Sequence, residues 1–346
     1  MVWRPLLLES SCGIIARLQM LSTKIAVFSF QVSRGKRFVF MGHIVTTIIP
    51  IFSLVILGTI ARSKGFLPPE FLGPANRLVY YLAIPAMIFR AIANASLTRQ
   101  FNPTVIWLTL VALVVLFLIC WAGSRLLKLP PSIRGAFIQC SFHGNLGYIG
   151  LAVAFYHLGA DGLARASIIA AFVMILQNFL AVAALQSHRQ SDAAGNRLSA
   201  VAGKIAANPV IVSATVGLLF SMAGITLPLV FDRSLQILSG LALPMALLII
   251  GGSLSLQLMQ SRLAAVLGAC LLKLLILPAL GVVLFRIAGQ DIQDYMPAVI
   301  LLASPTATIA YVMAREMGAD SEFAVAAISA TTLLSAVTFS FWLSLG

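Results

Sequence analysis

The sequence contains few charged residues and very few acids. Only 10% of its 346 residues are charged and Asp and Glu together number 10, whereas 60% are hydrophobic. A soluble domain usually has about 25% charged residues, so this composition, with a mean hydropathy of +1.01, excludes a soluble globular protein. Because a membrane span needs about 20 mostly apolar residues, we expect an all-α polytopic membrane protein with about ten spans.

Cysteine and histidine are scarce, with four residues of each, and no two cysteines form a CxxC pair. A disulfide framework, a metal site and a bound cofactor are therefore not expected. The chain also lacks an HExxH motif and a buried Asp pair, which argues against an intramembrane enzyme. Lys and Arg number 23 and give a net charge of +13, but they stand singly between apolar runs. Such charges orient a membrane protein and do not indicate nucleic-acid binding.

The first forty residues differ from the rest of the chain. Six basic residues divide residues 1–40 into short apolar stretches, and Met41 stands immediately before the first convincing span. We expect residues 1–40 to be a non-structural N-terminal extension. The alternative is an amphipathic helix on the membrane surface.

From His43 onward the apolar runs, cut at charges and at Gly/Pro clusters, predict ten helices. The predicted segments are, in order, 44–61, 72–95, 103–127, 135–158, 163–186, 205–223, 234–256, 262–287, 295–316 and 322–344.

The two halves of this region repeat each other. A shift of 159 residues places six Gly or Pro residues of the first half on identical residues of the second, namely Pro50, Gly58, Gly65, Pro69, Pro85 and Gly159. Each copy holds five predicted helices, an odd number, so the second copy must be inverted in the membrane. Inverted repeats are typical of secondary transporters. We predict a first repeat at 41–187, a linker at 188–204 and a second repeat at 205–346.

The distribution of basic residues predicts the orientation. Loops after predicted segments 1, 3, 5, 7 and 9 hold eleven Lys and Arg residues, and the loops on the other side hold four. The positive-inside rule therefore places the 188–204 linker in the cytoplasm, with the chain in the cytoplasmic membrane.

Two predicted segments are interrupted at equivalent places, and these interruptions form the predicted substrate site. Segment 4 contains Gly144, Asn145 and Gly147, and segment 9 contains Ser304, Pro305 and Thr306. Broken helices in matching positions of inverted repeats indicate a substrate site, and their free amino ends suit an anion. The alternative is that the glycines permit close packing and that the proline only kinks its helix.

Three further residues complete the prediction. Lys273 stands near the centre of segment 8, where a charge is costly and by default functional; the alternative is a structural bond to backbone carbonyls. No Asp or Glu is expected deep inside a span, which favours an anionic substrate. The paired Pro85 and Pro244 are predicted to kink segments 2 and 7.

Several motifs in the same order resemble the auxin efflux carrier family in its short bacterial form. They are 76–89 (NRLVYYLAIPAMIF), 144–151 (GNLGYIGL), 208–209 (NP), 241–244 (LALP) and 318–320 (GAD), and the match covers about 43–346. The resemblance implies inverted five-helix repeats, a scaffold plus a transport domain with crossing broken segments 4 and 9, and elevator-like movement. It also implies small carboxylates such as malonate or indole-type acids as substrates. One departure is Ala152, where members often have proline.

The expected partners are a small organic anion, the lipid bilayer, and a proton or sodium as coupling ion; a homodimer stays open. Two alternatives to the carrier also stay open. One is a sodium-coupled organic-anion symporter on the same scaffold, whose ion is held by backbone carbonyls. The other is a passive anion channel.

Overall fold

The computed structural model describes residues 46–95, 100–126, 129–186, 208–255 and 262–346. The predicted N-terminal extension and the predicted linker lie outside these ranges. Within them the regular elements are helices, and one isolated antiparallel bridge joins Gly144 and Thr306.

The outer ends of the predicted helical regions lie within five residues of the observed ones. Inside them the structure differs, because predicted segments 4, 7 and 9 are each divided, and the second part of segment 4 joins segment 5 in one helix with a non-helical residue at Gly159. We number them α1 Thr46–Ser63, α2 69–93, α3 Pro103–Leu126, α4 Pro131–Phe142, α5 Leu146–Gln186, α6 Pro209–Met222, α7 Leu229–Ser239, α8 Ala242–Ser253, α9 Leu263–Ile287, α10 Ile292–Ala303, α11 Ile309–Glu316 and α12 Ser321–Leu343. By length and composition, six helical stretches of the described residues can cross a membrane: α1, α3, α5, α7 with α8, α9 and α12.

In the described part of the chain, three helices contain a widened π turn, at Val79–Ala83, Leu146–Gly150 and Leu272–Ile276. Proline explains the third. Pro278 has no N–H to donate, and its ring clashes with the carbonyl four residues earlier, that of Leu274. The freed Leu274 oxygen accepts a hydrogen bond from Trp342 Nε1 at 2.8 Å. Pro85 follows the π turn of α2 at the same spacing.

Local structure recurs at the 159-residue shift. Gly65 and Gly224, which end α1 and α6, have φ of 80° and 64°, and Gly159 and Gly318 have φ of 71° and 69°. The backbone bonds that close α1 recur at the end of α6, with three donors and three acceptors all shifted by 159 residues. A positive φ at such ends requires glycine, so the repeated glycines mark repeated helix ends.

Helices of the two halves pack on each other in a reciprocal way. A Cβ on Gly217 of α6 would lie 3.1 Å from the Phe89 carbonyl oxygen of α2, and one on Gly58 of α1 would clash with the Leu248 carbonyl of α8. Leu248 is 159 residues after Phe89. The hydroxyl of Thr59 donates to Gly251 O at 2.9 Å across the α1–α8 contact. We call α1, α2, α6, α7 and α8 the scaffold bundle.

The remaining helices, α3 to α5 and α9 to α12, form what we call the crossover bundle. Polar contacts inside it include Arg165 to Asp294 at 3.0 Å and Asn102 to Gln290 at 3.0 Å. Hydrogen bonds between described residues that connect it to the scaffold bundle include the following two. Tyr148 Oη donates to Asn76 Oδ1 at 2.5 Å, and the Ser255 N–H donates to Ser329 Oγ at 3.0 Å.

Candidate functional site

The two interruptions predicted from the sequence cross each other inside the crossover bundle. α4 ends at Phe142 and α5 begins at Leu146, while α10 ends at Ala303 and α11 begins at Ile309. The Asn145 N–H donates to Pro305 O at 2.7 Å, and the Ala307 N–H donates to His143 O at 2.9 Å. Backbone at membrane depth must find partners in the protein, and here each interruption supplies them to the other.

The first interruption is held by an amide side chain of α5. Gln177 Oε1 accepts from the Gly144 N–H at 3.1 Å, and Gln177 Nε2 donates to Gly144 O at 3.3 Å. Space for a side chain is tight around this interruption. A Cβ on Gly144 would lie 3.3 Å from Lys273 Nζ, and one on Gly150 would lie 2.7 Å from Ser304 Oγ.

The second interruption follows from Pro305, and hydroxyls satisfy the groups around it. Ser304 Oγ donates to Ile300 O at 3.0 Å. Thr306 Oγ1 donates to Cys140 O at 2.8 Å, and the Thr306 N–H donates to Thr331 Oγ1 at 3.1 Å. The hydroxyls of Ser304 and Thr306, together with that of Thr331, thus join α10, α4 and α12 around this interruption.

Asn145 caps the amino end of α5 and keeps one donor unmatched. Its Oδ1 accepts from the Tyr148 N–H at 3.3 Å, which fixes the orientation of the amide. Its Nδ2 has no hydrogen-bond partner in the described part of the chain, although the residue is only 6% exposed. A buried N–H without a partner costs free energy, so this position suits a ligand that brings an acceptor.

The amino end of α11, unlike that of α5, has no side-chain cap. Thr308 precedes the helix and makes no side-chain bond to it, and Ile309 is 46% exposed. A helix amino end carries about half a positive charge and unpaired N–H groups. Both interruptions therefore end in helix starts that favour an anion.

Lys273 lies behind the crossing and is fully buried. Its Nζ donates to the Leu302 carbonyl of α10 at 2.6 Å. Of the two alternatives drawn from the sequence, the bond to a backbone carbonyl is thus present. Its ammonium lies beside the first interruption, 3.3 Å from where a Cβ on Gly144 would stand.

A cavity of about 770 Å³ lies between the two bundles. Its walls include Arg90 and Pro244 of the scaffold bundle and Tyr156 and Asp161 of α5. Arg90 forms a two-pronged ion pair with Asp232, with N to O distances of 2.8 and 3.0 Å. Gly144, Asn145, Gly147, Ser304, Pro305, Thr306 and Lys273 are not among its lining residues, and neither is Pro85.

The structure brings Gly144, Asn145, Ser304, Pro305, Thr306 and Lys273 together and leaves Pro85 and Pro244 apart from them. Gly147 is in the π turn of α5, where a Cβ would contact Met174 and Ile84. Pro85 stands in the first α-helical turn after the π turn of α2, and Pro244 stands in the first turn of α8, after the break between α7 and α8.

Sequence reasoning missed Tyr148 and Thr331. Tyr148 of α5 connects the site to α2 by donating to Asn76, and Thr331 of α12 accepts from the Thr306 N–H. The signal for Thr331 was the pair of hydroxyl residues in the middle of an otherwise apolar helix.

Long apolar helices and two crossing interruptions define a multi-pass membrane transporter of the cell membrane. The defining sequence pattern of the membrane transport protein family matches residues 43–343, so the chain belongs to that family. This confirms the resemblance to the auxin efflux carriers, and members of the family are transporters, not enzymes.

Relatives of known name are also transporters. The chain is 28% identical over 309 residues to a Rhizobium meliloti protein provisionally named a malonate transporter, covering 86% of this chain and 94% of the relative. It is 24% identical over 305 residues to an uncharacterised transporter of Methanothermobacter thermautotrophicus, covering 88% of this chain and 98% of the relative. An uncharacterised transporter of Methanocaldococcus jannaschii is 25% identical over 297 residues, with coverage of 84% and 94%.

Proposed function

We propose that the protein is a secondary transporter that moves small organic anions, carboxylates in particular, across the cytoplasmic membrane. The observation that carries this proposal is the unmatched Nδ2 donor of buried Asn145 at the amino end of α5. A carboxylate oxygen is the acceptor that this donor lacks, and the helix end favours its charge. Gly144, Gly147, Ser304, Pro305 and Thr306 shape the backbone around that position.

The charge of the surroundings supports an anion. The described acids stand at helix ends or in connections, such as Asp161 beside the bend at Gly159 and Asp320 before α12. A cation carried through the crossing would need a buried carboxylate or a cage of oxygens. The crossing instead offers the unmatched Nδ2 of Asn145 and has the Lys273 ammonium behind it.

We propose ten spans in two inverted repeats of five. The repeated helix ends at Gly65 and Gly224 and the reciprocal packing of α1 on α8 and α6 on α2 support this arrangement. With the orientation from the basic residues, the cavity between the bundles opens toward the outside, because Asn94, Asp161 and Asp232 belong to ends on that face.

We also propose an elevator mechanism, in which the crossover bundle slides against the scaffold bundle. The contact near the site is largely apolar, with Ile84 of α2 and Met174 of α5 beside Gly147. Apolar surfaces can slide in steps without leaving charges unpaired, whereas ion pairs such as Arg90–Asp232 lie within the scaffold bundle.

Malonate is the first substrate to test, because a relative that spans nearly the whole chain is provisionally named for it. Uptake of labelled malonate and of indole-3-acetate into proteoliposomes should saturate and compete, and Asn145→Ala should abolish it. Proton and sodium gradients applied in turn would identify the coupling ion. Flux that is linear in substrate concentration and unaffected by Asn145→Ala would reject the site and favour a channel.

A further inference from the structure

Lys273 is a buried cation without an acidic partner among the described residues. It is 0% exposed and stands in the middle of α9. Ion pairs among the described residues include those of Arg90, Arg165 and Arg262, and none of these involves Lys273. A charge in such a place costs free energy unless the protein gains something from it.

The fold directs the ammonium to one point. Pro278 widens the preceding turn of α9 into a π turn, and Lys273 belongs to that turn. Its Nζ donates to Leu302 O at 2.6 Å, in the last turn of α10. A Cβ on Gly144 would lie 3.3 Å from Nζ, so the ammonium lies beside the first interruption while it bonds the end of α10.

The carboxyl end of α10 needs this charge. The last carbonyls of a helix have no partners inside it and carry about half a negative charge. Ser304 satisfies Ile300 O and Leu301 O, and Lys273 satisfies Leu302 O. Carbonyl oxygens at a broken helix end are also the ligands that hold sodium in other membrane carriers.

The other half of the molecule closes its interruption differently. The residue 159 positions before Lys273 is Val114, which has no charge, and the one before Leu302 is His143. The His143 carbonyl accepts from the Ala307 N–H at 2.9 Å. The lysine is therefore not part of the repeated pattern of the two halves. It places a cation at the second interruption and has no equivalent at the first.

We propose that the Lys273 ammonium fills a monovalent cation site at the carboxyl end of α10, so that the carrier has a resident cation there and needs no sodium. This inference rests on the proposed function only where it is tested by uptake, because the unfolding measurement below does not require transport. It selects between the alternatives left open by the sequence, because a filled site cannot also hold a coupling sodium. Removing the side chain should empty the site and let sodium enter.

The test compares thermal unfolding of the purified full chain in sodium chloride and in N-methyl-D-glucamine chloride at equal ionic strength. Wild type should have the same Tm in both. Lys273→Ala should have a lower Tm that rises by a few degrees, saturably, with sodium. Lys273→Met, which fills the space without charge, should not respond. Arg286→Ala removes a basic residue from the exposed end of α9 and should behave like wild type.

A saturable stabilisation of wild type by sodium would overturn the inference, and so would a Lys273→Ala protein that folds but does not respond to sodium. If Lys273→Ala cannot be purified, the wild-type protein decides. A Tm and an uptake rate that do not depend on sodium support a filled site, and values that depend on sodium reject it. A total absence of carboxylate flux would reject the proposed function and leave the unfolding comparison intact.

Discussion

Buried amides usually use all their hydrogen-bonding groups, and Asn145 uses only its oxygen. The oxygen caps α5 through the Tyr148 N–H, while Nδ2 has no partner. The Asn145 oxygen therefore has a structural role and Nδ2 is the proposed binding group, so a substitution that changes only one of them separates the two roles.

Asn145→Asp should preserve the fold and abolish anion transport. The carboxylate still accepts from the Tyr148 N–H, so the cap of α5 is retained. The donor is lost and a negative charge faces the substrate, which should lower uptake by at least about tenfold, since a hydrogen bond to a charged group contributes about 1.5–3 kcal/mol. Initial rates of malonate uptake against concentration, together with Tm, measure both effects. Unchanged KM and maximal rate in Asn145→Asp would remove Asn145 from the site.

Gln177→Ala should destabilise the crossing. The substitution leaves both the N–H and the oxygen of Gly144 without this side chain, at a cost of about 1–3 kcal/mol for each group left unsatisfied. Asn178→Ala is the matched control, because the amide of Asn178 bonds only within its own helix, to Met174 O at 2.7 Å. Thermal unfolding of the two proteins side by side is the measurement. Equal loss of Tm in both would show that Gln177 does not hold the interruption.

At the scale of helices, the apolar runs were sufficient to predict where most elements lie. Pro305 predicted the interruption after α10 because proline removes a backbone donor, and the glycines around Asn145 predicted the one before α5. The break between α7 and α8 was not predicted as such. It falls at Gly240 and Leu241, just before Pro244 in the segment predicted as one kinked helix.

The partners of the site residues could not be predicted, because they come from helices distant in sequence. Lys273 meets Leu302, and Thr306 meets both Cys140 and Thr331. Hydrophobic periodicity predicts which face of a helix is buried, but it does not predict which helix packs against that face. The π turns also escape a pattern of period 3.6, since each adds a residue to one turn.

Gly251→Ala should disrupt the contact between α1 and α8. A Cβ at this position would clash with the Val55 carbonyl, a backbone group that cannot rotate away. We expect a loss of about 1–3 kcal/mol of stability, as for other overpacked sites. Gly73→Ala is the control, because nothing lies within 4 Å of a Cβ there and alanine favours the helix by about 1 kcal/mol. Tm in detergent compares the two, and equal values would show that α1 and α8 are not tightly packed.

At the scale of the whole molecule, inverted repeats place equivalent positions on opposite faces of the membrane. Lys64 and Ala223 are separated by 159 residues, and both are exposed beside a left-handed glycine. In a background without native cysteines, Ala223→Cys should react with an impermeant maleimide in intact cells. Lys64→Cys should react only after permeabilisation, because basic residues mark its face as cytoplasmic. Labelling of both positions from the same side would reject inverted repeats.

Sliding of the crossover bundle requires that contacts between the bundles break during each cycle. The Ser255 N–H bonds to Ser329 Oγ at 3.0 Å, which joins the second residue after α8 to α12. Bridging Ser255→Cys and Ser329→Cys with a short bifunctional thiosulfonate should therefore stop uptake, and a reductant should restore it.

The control bridges Asn102→Cys and Gln290→Cys, whose side chains meet inside the crossover bundle at 3.0 Å. That bundle moves as one body in an elevator, so the control should keep its transport rate. Full uptake by a completely bridged Ser255–Ser329 pair would show that the two bundles stay fixed at this contact, and a channel would then explain the flux better.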